Sequence, residues 1–178
     1  MDSIQTARQG RKAAFVALFD EHHAPLFRFA WRMTGSIADA EDIVQECFLE
    51  ILRPSCSYDP ARTSISGYLF GIVRNQALKR LRRRKVIDAP PGRADSPETS
   101  LLQSELSDIV ARAVAELPET QREILILAHY EQLPLADIAQ ITDLAIGAVK
   151  SRLQRARASL KVTFAAAYPH LERTFGEK

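Results

Sequence analysis

Cysteine is nearly absent. The chain of 178 residues holds two, Cys47 and Cys56, which excludes a disulfide framework, and neither stands at metal-ligand spacing with the four histidines. Cys47 falls in an apolar helical pattern and reads as a core residue, Cys56 as an incidental thiol in a loop. Missing too are an apolar stretch at the N-terminus that would make a signal peptide and any run long enough to span a bilayer. The expectation is a cytoplasmic protein without membrane insertion. No Gly-rich phosphate loop, metal triad or nucleophile–base spacing occurs, so neither an enzyme nor a metal or other cofactor is expected. No internal repeat and no strand-like alternation is present, and apolar residues recur at intervals of three and four, which predicts an all-α protein. A large net charge is lacking as well, since 24 Lys and Arg against 22 Asp and Glu leave +2. That balance conceals segregation: acidic residues gather between Asp39 and Glu50, basic ones between Arg74 and Lys85 and between Lys150 and Lys161. Such zoning predicts two kinds of partner, one basic and one a polyanion.

Periodicity predicts a helix from about Lys12 to Met33 with Phe15, Leu18, Phe19, His22, Leu26, Phe29 and Met33 on one stripe, bent or split at Pro25. His22 is expected partly buried and His23 exposed, with no third ligand beside them. After Thr34-Gly35-Ser36 a second helix runs from Ile37 to Arg53 and stops at Pro54. Its apolar stripe is Ala40, Ile43, Val44, Cys47, Phe48 and Ile51; Asp39, Asp42, Glu46 and Glu50 share another side, a surface suited to a basic helical partner. A loop from Pro54 to Ser64 carries Tyr58. Ser64 or Ser66 can then cap a long helix, Ile65 to about Lys85, with Leu69, Ile72, Val73, Ala77 and Leu81 toward the core. Its other side presents Arg74, Asn75, Lys79, Arg82 and Arg83, with Tyr68 near the start. Cations track phosphates, rings stack bases and amides read base edges, so this side suits single-stranded nucleic acid. The terminal Arg83-Arg84-Lys85 also suits the helix dipole alone.

From Asp88 to about Thr99 the composition shifts to Pro, Gly, Ala, Asp and Ser, marking a linker between two units. The second unit opens with a helix from about Leu101 to Leu117, and Pro118 starts the next, with Ile124, Leu125, Leu127 and Ala128. Then comes Leu135 to Ile141, a turn through Thr142-Asp143-Leu144, and a helix from Gly147 continuing toward Tyr168. In that last helix Val149, Leu153 and Ala156 fall on one side, while Lys150, Ser151, Gln154, Arg155 and Arg157 point elsewhere. Two short helices, a tight turn with small Ala139 at the close approach, and a cationic second helix predict a helix-turn-helix that reads duplex DNA.

Asp39 to Phe48, Tyr68 to Asn75, and Leu117-Pro118 through Arg157 together resemble bacterial RNA polymerase sigma factors of the extracytoplasmic-function type, over nearly the whole chain. The resemblance implies a region 2 domain at residues 1–87, a linker at 88–100, and a region 4 domain with a short tail at 101–178. It implies that Asp39, Asp42, Gln45 and Glu46 dock on core RNA polymerase, whose clamp helices and flap are the partner surfaces. Tyr58, Ser66, Tyr68, Arg74, Asn75, Lys79 and Arg82 would then capture and hold the minus-ten element of promoter DNA, with one base flipped out of the stack. Ala148, Lys150, Ser151, Gln154 and Arg155 would face the minus-thirty-five element. Tyr68 stands where the family often has Trp, Ala148 where Thr is common, and Asp143 where the turn Gly is usual, acceptable because Asp tolerates a left-handed backbone better than most residues. An anti-sigma partner is a further implication. A competing expectation is a stand-alone helix-turn-helix regulator that binds duplex DNA as a dimer, which leaves the acidic helix and the aromatic-basic helix without a role.

Overall fold

The computed structural model describes residues 12–53, 56–87 and 101–167, and every regular element among them is helical. α1 (Lys12–Thr34) runs unbroken through Pro25. The missing amide hydrogen costs one backbone bond there, and the packing of Leu18, Leu26, Phe29, Ala30 and Met33 into the core outweighs it. Gly35 ends the helix at φ 68°, a left-handed value that glycine adopts without strain. Ser36 caps α2 (Ile37–Leu52) by accepting from the Asp39 amide at 3.2 Å. Ser64, not Ser66, caps α3 (Ile65–Ile87), its Oγ accepting from the Gly67 amide at 3.1 Å. The predicted stripe of α2 is buried in full. Leu69, Phe70, Val73 and Ala77 of α3 meet it, and Phe70 stands edge-on to Phe29 with centroids 5.6 Å apart.

The second unit comprises α4 (Leu101–Glu116), α5 (Glu119–Leu125), α6 (Leu135–Thr142) and α7 (Ile146–Ala167). α5 continues into a π-helical turn, Ile126–Tyr130, where sequence periodicity predicts only more α-helix. The turn from α6 to α7 has the left-handed residue expected of it: Asp143 lies at φ 54° and ψ 47°. The expected linker Asp88–Thr99 lies outside the described residues, as does the chain beyond Ala167.

The buried residues of both units belong to one apolar cluster, from Leu18 to Ala156. α1 lies against α4, α5 and the π-turn, and α3 lies against α6. Two expectations for α1 change on this scaffold. Phe19 is 37% exposed, its ring 4.8 Å from Phe48 at the edge of the core. His23, expected exposed, is half-buried, with ring centroids 4.6 Å from Phe19 and 6.3 Å from Phe27.

His22 is buried, and its Nε2 has no hydrogen-bond partner. Burial lowers its pKa from the usual 6.5, and Glu21 only partly offsets this. The unfolded chain therefore takes up a proton first as pH falls. This part of the stability is complete above 6.5 and is lost from there down toward the lower folded value. Urea titrations from pH 7 to 5 should show stability falling more steeply in the wild type than in His22→Leu; equal slopes would remove His22 as the cause.

Candidate nucleic-acid and partner interfaces

The helix-turn-helix follows from the left-handed turn. With Asp143 in that conformation, its amide donates to the carbonyls of Ala139 and Gln140, and the Leu144 amide returns to Ala139 O at 3.0 Å, so α6 closes and α7 leaves at a fixed angle. Val149, Leu153 and Ala156 anchor α7 in the core. Lys150, Ser151, Gln154 and Arg155 are all exposed and Ala148 is half-buried. Arg155 Nε donates to Ser151 O at 3.3 Å, which lays its stem along the helix. A polar, cationic face on a rigidly anchored helix can enter a major groove.

On the first unit, the residues expected at an opened strand fall into three groups. Tyr58 and Tyr68 stand together, centroids 5.2 Å apart and tilted by 56°, with half-buried Ser66 near the start of the same helix. Cys56, expected to be an incidental loop thiol, is buried with its Sγ 3.6 Å from the Tyr68 hydroxyl; burial first, then this contact, raises the Tyr68 pKa. Cys47 is inert in the core, its thiol pushed up to about 12 mainly by burial. Asn75, Lys79 and Arg82 form the second group, exposed along one side of α3. Arg74 makes the third: its Nη1 still reaches Asn75 Oδ1 at 3.5 Å, but the rest of its guanidinium enters the junction between the units.

The acidic side of α2 is not bare. Arg80 Nη1 lies 3.0 Å from Asp39 and 3.3 Å from Asp42, and its Nη2 3.4 Å from Glu46. Arg84 joins Asp39 and also donates to Thr34 O at 2.8 Å. The basic run therefore divides by helical phase, with Lys79, Arg82 and Arg83 exposed while Arg80 and Arg84 face the carboxylates. Asp42 and Glu46 keep 63% and 50% of their side-chain surface exposed, so a partner can still reach them. Exposed Gln45 borders an open apolar groove of about 510 Å³ between α1 and α2, lined by Phe15, Phe19, Val44, Phe48 and Leu49 among others.

The junction holds charged residues that sequence patterning did not single out. Glu123, buried to 1% exposure, receives Arg74 through both carboxylate oxygens, Nε at 2.7 Å and Nη2 at 3.2 Å. Glu131 faces Arg28 at 3.2 Å and Arg32 at 3.7 Å, while the Arg32 guanidinium lies 4.1 Å from the Tyr130 ring centroid. Burial raises the Glu131 pKa, and the two arginines oppose the rise. Arg122 crosses the other way, donating to Met33 O at 2.9 Å and to Leu117 O at 3.0 Å. One signal for Glu123 exists in the sequence: it directly precedes the apolar run Ile124 to Ala128 and shares a helical face with Leu127, where a carboxylate drawn into the core needs a cation. Among the described residues, no group of three or more His, Cys, Asp or Glu could hold a metal ion, and no helix is long and apolar enough to cross a membrane.

Removing the shared cation from the acidic side tests its role. Arg80→Ala should lower stability by about 1 kcal/mol at low salt and by less at high salt, because the pairs are partly exposed and screened. A salt-independent loss in urea unfolding would show that Arg80 acts through packing instead.

Comparison with known proteins places both units. Residues 18–86 match Sigma-70 region 2, and residues 107–160 match Sigma-70, region 4. The ECF RNA polymerase sigma factor SigL of Mycobacterium tuberculosis is 33% identical over 170 residues, which cover 92% of this chain and 96% of that one. The structure of CnrH in complex with the cytosolic domain of CnrY superposes with a TM-score of 0.73 at 25% identity, covering 92% of this chain and 96% of CnrH. The sigma factor RpoE in complex with the anti-sigma factor NepR, from Bartonella quintana, gives 0.66 at 30% identity, covering 78% and 89%.

Proposed function

Because the chain belongs to the sigma-70 family, with extracytoplasmic-function relatives along nearly its whole length, we propose that its two units divide the work of promoter recognition. The protein is an alternative sigma factor that directs promoter-specific transcription, and as an initiation factor it is not a classical enzyme. Residues 1–87 dock on core polymerase and engage the minus-ten element, 88–100 link, and 101–178 read the minus-thirty-five element. The process belongs in the cytoplasm, where polymerase and promoter meet. The observation that carries this division is the α7 face, where Lys150, Ser151, Gln154 and Arg155 are exposed opposite a buried apolar anchor. The stand-alone regulator is not favoured, since it gives no task to the unit that matches region 2.

Each assignment has a physical support. Asp42 and Glu46 remain accessible beside Gln45 and the apolar groove, so a helix with a basic side and an apolar ridge fits there; the clamp helices of polymerase are that partner. The Tyr58–Tyr68 pair offers aromatic faces to an unstacked base, with Ser66 and Asn75 as polar groups for its edge. Lys79 and Arg82 hold phosphates. On α7, phosphate contacts set register, while Gln154 and Arg155 read base edges. The complex of RpoE with NepR supports an anti-sigma partner for this chain as well.

Run-off transcription with core polymerase on genomic fragments tests the whole assignment. Discrete start sites sharing two upstream elements are expected. No specific initiation by folded, core-bound protein would return the stand-alone regulator. Asp42→Arg combined with Glu46→Arg should abolish core binding in a pull-down while the circular dichroism spectrum stays helical; retained binding would move the docking surface elsewhere. Arg155→Ala should weaken promoter binding by about 1–3 kcal/mol if the side chain makes a bidentate base contact. Unchanged affinity would remove it from the readout.

A further inference from the structure

The two units meet through a residue already assigned to DNA. Arg74 is placed by its helix beside Asn75, to which its Nη1 donates at 3.5 Å, yet its guanidinium is committed to buried Glu123 in a two-point contact. A guanidinium fork binds a carboxylate and a phosphate with the same parallel geometry. Glu123 thus occupies on Arg74 the position that a strand phosphate would take.

The geometry points to Arg74 as a cation shared between Glu123 of the same chain and a phosphate of the opened minus-ten strand, so that the closed arrangement and promoter engagement exclude one another. The inference rests on the DNA role proposed above for Arg74. Distance demands the same exclusivity. The two promoter elements lie about 25 base pairs apart at roughly 3.4 Å each, whereas here the units touch through side chains of α3 and α5. One chain cannot read both elements without parting Arg74 from Glu123. Parting them leaves Glu123 facing solvent with no counter-ion and uncovers the apolar faces of α1 and α6, so the free chain favours the closed form and polymerase must supply the opening. Glu131 with Arg28 and Arg32, and Arg122 with Met33 O, close the same seam around that pair.

The test uses the full chain. Small-angle scattering and fluorescence anisotropy with a dye-labelled, thymine-rich single strand are measured on wild type, Glu123→Gln and Arg74→Ala. Glu123→Gln should expand the particle and bind the strand several-fold tighter, because the cation is freed. Arg74→Ala should expand it too, but bind more weakly than wild type. A Glu123→Gln protein that stays compact, or that expands without gaining affinity, overturns the inference. Glu131→Gln, at the edge of the seam, guards against a folding defect in Glu123→Gln and should shift both readouts in the same direction by less; no shift in either overturns the inference as well. Run-off transcription from the same preparations reads the proposed function separately. A wild type that initiates normally while Glu123→Gln changes neither readout sinks this inference alone.

Discussion

A carboxylate with 1% exposure is tolerable only beside a cation, and the junction of the two units depends on Glu123 finding Arg74. Desolvating both charges costs several kcal/mol each, and the attraction recovers this only with good geometry, which the two-point contact supplies. The apolar cluster around it runs without a break from one unit into the other. Hydrophobic burial and the ion pair together hold the units closed, and the ion pair also fixes which faces meet. Arg28, Arg32 and Arg122 add contacts at the margin, each to a group of the opposite unit: Arg28 and Arg32 to Glu131, Arg122 to Met33 O.

Charge on this protein is arranged by helical phase more than by local composition. The basic run of α3 looks continuous in sequence, yet a rotation of about 100° per residue sends Arg80 and Arg84 toward the acidic side of α2, Arg74 toward Glu123, and Lys79 and Arg82 to solvent. One segment thus serves three electrostatic tasks. The acidic helix is moderated by its neighbour before any outside partner arrives, and its outer carboxylates, on Asp42 and Glu46, stay available to that partner.

The family relation and the helical fold were legible because both rest on local signals. Apolar spacing fixed α1, α2 and α7, Ser36 and Gly35 marked the break between the first two, and Asp143 marked the tight turn. The continuity of α1 through Pro25 was not legible, since one lost hydrogen bond is decided by how much surface the flanking residues bury. Nor was the π-turn at Ile126–Tyr130, which differs from α-helix by one residue per loop and leaves no distinct compositional mark. Cys56 looked incidental in a loop, yet it lies beside Tyr68 because the chain folds back over α3.

Sequence by itself determined that this chain is all-helical, that its charges are zoned, and that α7 carries a polar cationic face opposite an apolar anchor. Each of these needs only the period of a helix and the chemistry of neighbouring residues. Tertiary structure alone decided that Arg74 meets Glu123, that Arg80 and Arg84 cover Asp39, and that Glu131 lies against Arg28 and Arg32. Those partners stand 41 or more residues apart, and a lone sequence records which side chains require a counter-charge but not which distant one the packing of helices will bring.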